Sequence, residues 1–521
     1  MKKNKLALIL IFFLSLFLTF FKIGSVPPSL NWDEAAVGWN AKTIFHTRRD
    51  EYGTRLPLSF KSFGDFKAPL YIYLTAPIVG IFGMNEISVR FVSALSGLLS
   101  VLVLYFLVKE LILKNNHISH ITYHISLLSA LMLIVSPWHI MMSRFASEQT
   151  LANFFILLAI LAFFKSFKKR FWLVISAVSF ALSFYCYHSP KIFVPFLVTG
   201  LFLIFKKRLA AKKIVLWSAV SLLVALLLLL PLGKSLISSG GQTRFSQTSI
   251  FYTKEGERQP LNLNLIQKFA KNYLNHFSPK FLFLGGDKNP RMQMKKIGPL
   301  LLIEAPFLLW GLLTLVKQRK KKSAKFLLWW LAIGPIAAAV GFEAPHPIRA
   351  FHLLPALIIT MSLGILGFFR FLKNFKKSLR LILFCSVAIF FFINISYFIY
   401  RYFIFYPVYS APDWQYGHKQ VAQIAQEYEE KVKKIIMTSH YGQPHIFMLF
   451  YQKRDPQQVF WGTMSKYLYR NIKWEEDSNL KNVLLVGTPD EIPQAAEGKI
   501  AEINFPDGKV AFRIARIQNG Q

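Results

Sequence analysis

Cysteine is almost missing from this chain of 521 residues: only Cys186 and Cys385 occur, both inside apolar segments. That excludes a disulfide framework and a Cys-based metal site. Acidic side chains are scarce too, 26 against 62 basic ones, for a net charge of +36. No HExxH motif occurs, and no repeat of the length used by solenoids or propellers is visible. His117, His120 and His124 have helical spacing but no carboxylate beside them. They read as an interfacial cluster, so no metal site and no cofactor is expected, and no motif indicates a divalent ion.

Apolar residues are abundant. They make up 54% of the chain, with 51 Phe, and the mean hydropathy is +0.38. A soluble protein of this length would not be so apolar throughout, so the composition indicates an integral membrane protein. Runs able to cross a bilayer fall near 6–23, 88–112, 122–142, 150–167, 171–188, 191–205, 214–232, 297–316, 324–342, 350–370 and 379–400. About eleven transmembrane helices are expected, because backbone groups in lipid need partners within their own segment. The first run lacks a small-x-small cleavage site and is read as an uncleaved helix.

The location of the positive charge decides its meaning. With the N-terminus in the cytoplasm, the short loops 1–5, 109–121, 165–170, 206–213, 317–325 and 370–380 carry 25 basic residues and one acidic residue, Glu110. Such a distribution follows the positive-inside rule and argues against a nucleic-acid partner. The long segments then lie on the opposite side: loop 24–87, loop 233–296 and the tail 401–521. The tail has 15 basic and 13 acidic residues, and reads as a small α/β domain. Ile435–Thr438 and Val483–Val486 look like buried strands, and Pro506-Asp507-Gly508 like a hairpin turn. The expected division is a membrane domain over 1–400 and an extracytoplasmic domain over 401–521. The whole would sit in the plasma or inner membrane.

Loop 24–87 holds the most chemistry. Asp33 and Glu34 follow the first helix closely, and a carboxylate at a membrane surface is a candidate general base. The plainer reading is that Asp33 caps a helix and Glu34 favours its positive end. Lys67 stands at the start of an apolar, aromatic run, 68–82, which suits an interfacial segment. There it would meet a lipid phosphate or simply snorkel. Arg144 and Glu148 have i,i+4 spacing and could pair on a helix. Arg349 opens a helix at its external end, against the dipole preference. Tyr187, His188 and Lys191 occupy an external turn between two helices.

The block Asp33-Glu34, Gly53, Leu56-Pro57, Gly64-Asp65-Phe66-Lys67-Ala68-Pro69-Leu70, Gly83-Met84-Asn85-Glu86 and Arg90 resembles the first loop of the GT-C glycosyltransferases. Within them it is similar to the bacterial protein O-mannosyltransferase and lipid A aminoarabinose transferase group, of the family 39 type. Pro137-Trp138-His139, Ser143-Arg144, Glu148 and Pro345-His346-Pro347-Ile348-Arg349-Ala350 extend the likeness across roughly 1–400. The resemblance implies a GT-C membrane fold and transfer of a sugar from a polyprenyl-phosphate carrier. The acceptor would be a protein, glycolipid or cell-wall polymer outside the membrane. It also implies Asp33 as general base, with Glu34 positioned beside it. Lys67 and Arg144, with His346 and Arg349, would face the donor phosphate. Asp65, Glu148, Tyr187, His188 and Lys191 are candidates to line the same cavity.

A transporter or flippase is the alternative, but it should show duplicated halves and broken helices at mid-membrane. No such duplication is visible, and the acidic residues cluster at one membrane surface rather than at its centre. A non-catalytic assembly protein would leave Asp33, Lys67 and Arg349 without a task. The tail, beside the presumed site, is a candidate acceptor-binding domain.

Overall fold

The computed structural model describes residues 2–112, 120–210, 212–237, 246–253, 256–285, 289–292, 294–459 and 464–518. His117 and parts of loop 233–296 lie outside them. Every apolar run becomes helical. In chain order these helices are α1 (Lys2–Phe20), α4 (Glu86–Ile112), α5 (His120–Val135) with α6 (Pro137–Ser143), α7 (Glu148–Ser166), α8 (Trp172–Phe184), α9 (Pro190–Leu209) and α10 (Lys212–Ile237). Ala305–Lys317, Lys322–Ile333, Leu354–Phe371 and Lys377–Tyr400 follow.

Fewer of them than eleven meet the full length and apolarity needed to cross a membrane. Among the described residues five do so: Glu86–Ile112, Glu148–Ser166, Ile214–Gly233, Phe351–Asn374 and Lys377–Tyr409. A sixth is counted if α5 and α6, bent by 61° at Ser136, form one broken span. Pro137 explains the break, since its ring cannot continue the preceding helix. The segment 24–87 is also more helical than its turn residues suggested. It contains α2 (Trp32–Thr47) and α3 (Leu70–Phe82), the latter being the short apolar run.

The chain divides into two compact units, and the boundary differs from the expected one. One unit comprises 1–21, 65–70 and 93–400; the other comprises 22–64, 71–92 and 401–521. Most of the segment 24–87 therefore belongs with the tail. The reason is packing: α2 is buried along Glu34–Ala41, and its Gly38 lies against Phe450 of the helix Pro444–Tyr451 and against Val89. A Cβ at Gly38 would come within 2.4 Å of the Phe450 ring, so that approach depends on the missing side chain.

The tail forms the α/β fold expected of it. Strands β3 (Lys434–Met437), β4 (Tyr467–Tyr469), β5 (Val483–Gly487), β6 (Lys499–Asn504) and β7 (Val510–Ile517) make one sheet in the order β4-β3-β5-β7-β6. β3 pairs in parallel with β4 and β5, while β7 is antiparallel to β5 and β6. β5 is buried at every residue, as a central strand covered on both faces should be. β6 and β7 are joined by the turn at Pro506-Asp507-Gly508, where Gly508 adopts φ 88°.

Candidate active site

In the unit containing the tail, Asn31 rather than Asp33 caps α2. Its Oδ1 accepts from the Asp33 and Glu34 N–H groups at 2.9 and 3.1 Å, and the Glu34 carboxylate accepts from the Asn31 N–H at 3.3 Å. This reciprocal capping box satisfies the helix start without the Asp33 side chain. Asp33 sits half-buried in the first turn, where a carboxylate faces the positive end of the helix dipole.

Glu34 has another task. It is 1% exposed and forms a two-pronged pair with Arg90, itself fully buried, at 3.0 Å (Nε to Oε1) and 3.1 Å (Nη2 to Oε2). The remaining Arg90 N–H groups donate to the carbonyls of Ile23, Pro27 and Ser29 at 2.8, 3.0 and 2.6 Å. One guanidinium thus ties the chain leaving α1 to the start of α2. A planar five-donor fork suits this and an ammonium does not. The carboxylate of Glu34 is therefore engaged by Arg90. In the sequence Arg90 was visible only as the last residue of the family-like block.

The other unit gathers cations around the turn 185–189 between α8 and α9. The short segment 65–70, which carries Lys67 on strand β2 (Asp65–Lys67), is fastened there. The Leu70 N–H donates to the Tyr185 carbonyl at 3.0 Å, and His188 Nε2 lies 3.1 Å from the Phe66 carbonyl. Lys67 is 8% exposed. Burial, the charges of Lys191, Arg349 and Lys67, opposed by the Phe66 hydrogen bond, hold His188 down at about 3. His188 is then neutral near pH 7, so Nε2–H donates to Phe66 and Nδ1 accepts from the Lys191 ammonium at 3.3 Å. Lys191 thus touches a neutral imidazole, on which the charges of Lys67 and Arg349 also act. Tyr187 packs its ring edgewise 6.0 Å from that of His188. Asp65 turns its carboxylate back onto the Phe66 N–H at 2.7 Å.

The loop before the helix Leu354–Phe371 brings in Arg349. Its guanidinium lies over Gly341, where a Cβ would come 2.1 Å from Nη1. His346 serves the loop itself: its N–H donates to His276 Nε2 at 3.0 Å, and its Nδ1 accepts from the Arg349 N–H at 3.4 Å. Trp138 Nε1–H holds the same loop through the Pro347 carbonyl at 3.1 Å.

Arg144 is placed differently from the phosphate-facing position expected of it. It is fully buried, and its guanidinium donates to the carbonyls of Leu18, Thr19 and Phe21 at 2.8, 3.0 and 2.6 Å. These are carbonyls at the C-terminal end of α1, which lack partners within the helix. Arg144 therefore caps α1. Glu148 opens α7 beyond the cap residue Ser147, and an Arg144–Glu148 helical pair does not apply because Arg144 ends α6 while Glu148 starts α7.

A buried polar network that periodicity could not reveal supports the cation cluster. Ser189 Oγ donates to Gln149 Oε1 at 2.9 Å, and the Gln149 amide donates to the His352 ring at 3.0 Å. His352 stacks on Phe193 at 4.6 Å, and its carbonyl accepts from Trp330 Nε1–H at 2.8 Å. The network joins α7, the 185–189 turn and the Arg349 loop. Replacing Gln149 with Leu removes its bonds to both groups and leaves them only each other, Ser189 Oγ lying 2.9 Å from His352 Nε2, at a cost of about 1–3 kcal/mol. The thermal midpoint in detergent should fall, and adding His352→Phe should cost less than the sum of the two single changes. Among the described residues no group of three His, Cys, Asp or Glu side chains could hold a metal ion.

Comparisons with known proteins agree with this architecture. Residues 66–233 match a family model described as dolichyl-phosphate-mannose-protein mannosyltransferase. No curated protein matches the chain in sequence. Among solved structures, ArnT from Cupriavidus metallidurans bound to undecaprenyl phosphate is similar with a TM-score of 0.58 and 12% identity, over 99% of both chains. AglB, the oligosaccharyltransferase of Archaeoglobus fulgidus, in complex with an inhibitory peptide and a dolichol-phosphate, is similar with a TM-score of 0.51 and 14% identity. That match covers 98% of this chain and 74% of AglB.

Proposed function

We propose that this chain, which has the multi-pass GT-C membrane fold, is a glycosyltransferase that moves a sugar from a polyprenyl-phosphate donor to an acceptor hydroxyl or amine outside the membrane. The observation that carries the proposal is the 185–189 turn, where Lys191 Nζ lies 3.3 Å from His188 Nδ1 and the segment carrying Lys67 is fastened by hydrogen bonds of 3.0 and 3.1 Å. Cations clustered at one turn suit an anion such as a lipid phosphate. The bound phosphates named for the similar structures favour the same donor class.

In this reading Asp33 takes the acceptor proton as the acceptor oxygen or nitrogen attacks the anomeric carbon. The bond from that carbon to the phosphate oxygen breaks, the bonding pair leaves with the phosphate, and the configuration inverts. Charge grows on the phosphate as the bond breaks, so cations fixed beforehand stabilise the transition state more than the ground state. The acid a glycosidase uses on its leaving group is unnecessary, because a phosphate leaves as an anion. The plasma or inner membrane, with the tail outside, is the location the loop charges favour. Sugar and acceptor class are left to the labelled product.

The test is transfer from a panel of radiolabelled polyprenyl-phosphate sugars to membrane extracts. Wild type should label a product, and Lys67→Met should lower the rate about 10²-fold, the cost of one lost electrostatic donor. Wild-type rates in both Lys67→Met and Arg349→Met would overturn the assignment of the phosphate site. A folded, inserted wild type that uses no donor would overturn the transferase reading in favour of lipid transport.

A further inference from the structure

The start of α2 is gripped a second time, by the C-terminal region. Trp32 N–H, the first amide of α2, donates to Gln415 Oε1 at 2.8 Å. Gln415 is 4% exposed, and its Nε2 donates to the Tyr441 carbonyl at 2.6 Å. The Gln415 carbonyl lies 2.8 Å from His418 Nδ1, so the residue is held at its side chain and its backbone. It also occupies the left-handed region at φ 55°, a conformation that an ordinary side chain adopts only when its surroundings over-determine it. Next to it, Gly442 at φ 105° lies beneath the Trp32 indole, where a Cβ would come 2.2 Å from the ring. Trp414, the residue before Gln415, is fully buried, and its indole lies 5.9 Å from the Arg90 guanidinium.

The amide that Gln415 holds is one of the first of a helix, which no carbonyl within the helix can satisfy. Holding it fixes the chain one residue before Asp33. Arg90 and Glu34 fix it one residue after. A general base works only within hydrogen-bond reach of its proton, and displacement by an ångström can cost orders of magnitude in rate.

We propose that Gln415, with Gly442 beneath Trp32, is a positioning residue for Asp33, so that the C-terminal region is a working part of the catalytic loop. This rests on the transferase reading above and goes beyond it in giving the tail a role independent of acceptor choice. Gln415→Met keeps the volume and removes both hydrogen bonds, and Gly442→Ala displaces the indole by a separate route.

Hydrogen–deuterium exchange of the full-length protein in detergent reads the grip directly. Gln415→Met should speed exchange across residues 32–36 roughly tenfold, the equivalent of about one hydrogen bond, while protection of β5 is unchanged. In the transfer assay kcat should fall with KM for the donor unchanged, and Gly442→Ala should show the same split. Unchanged exchange at 32–36 in both variants overturns the grip whether or not the protein transfers sugar. Faster exchange with wild-type kcat overturns the positioning role. A wild type inactive with every donor overturns the transferase reading, and the positioning role with it.

Discussion

Asp33→Asn should lower sugar transfer by about 10²–10⁴-fold, the usual contribution of a general base, which corresponds to roughly 3–5 kcal/mol of barrier. Expression, membrane insertion and thermal midpoint should stay at wild-type values. That combination is expected because the helix start is capped by Asn31 and closed by Glu34, so the Asp33 carboxylate is not needed to form α2. Were Asp33 only a cap, the outcome would be reversed: a loss of stability near 1 kcal/mol and activity lost only in proportion to folded protein. Measuring initial rates at saturating donor, alongside melting in the same detergent, separates the two. Retained activity in the Asn variant would remove Asp33 from the mechanism.

Arg90→Leu should be the most damaging single change to stability. It would leave the Glu34 carboxylate buried without its partner and three backbone carbonyls without their donor. Breaking a buried pair in this way costs about 3–5 kcal/mol. Arg90→Lys should recover only part of this, because one ammonium cannot span two carboxylate oxygens and three carbonyls. Removing both charges together, as Arg90→Leu with Glu34→Leu, should be milder than Arg90→Leu alone, since no uncompensated charge remains. Thermal melting and the yield of folded protein after extraction check the order. Equal loss in the single and double variants would show that the Glu34 charge is not what makes Arg90 indispensable.

The helices and all strands of the tail but β4 (Tyr467–Tyr469) were legible from the chain, for a reason of scale. Apolar runs and alternating patterns are local, and lipid or a sheet core selects them residue by residue. The roles of individual charges were less legible. Arg144 and Arg349 look alike in sequence, each beside a helix end, yet Arg144 caps α1 while Arg349 joins the cations near His188. Glu34 and Asp33 are neighbours, but only one of them meets Arg90. The partner that decides each case lies tens to hundreds of positions away, and spacing carries no information at that range. Gln149, Ser189, His352 and Gln415 were missed for the same reason, since a polar residue in an apolar or loop segment gives no signal until its partner is known.

The sequence alone therefore determined that this is a multi-helix membrane chain, roughly where most of its helices lie, and which loop holds the carboxylates and the lysine. Those properties are sums over local residues, chiefly the transfer of apolar side chains into lipid. Only the tertiary structure decided that the first loop belongs with the tail, that Glu34 is spoken for by Arg90, and that Lys67 is brought to the 185–189 turn. Each depends on satisfying a buried polar group with a partner distant in the chain. That requirement becomes definite only once packing has removed water from both.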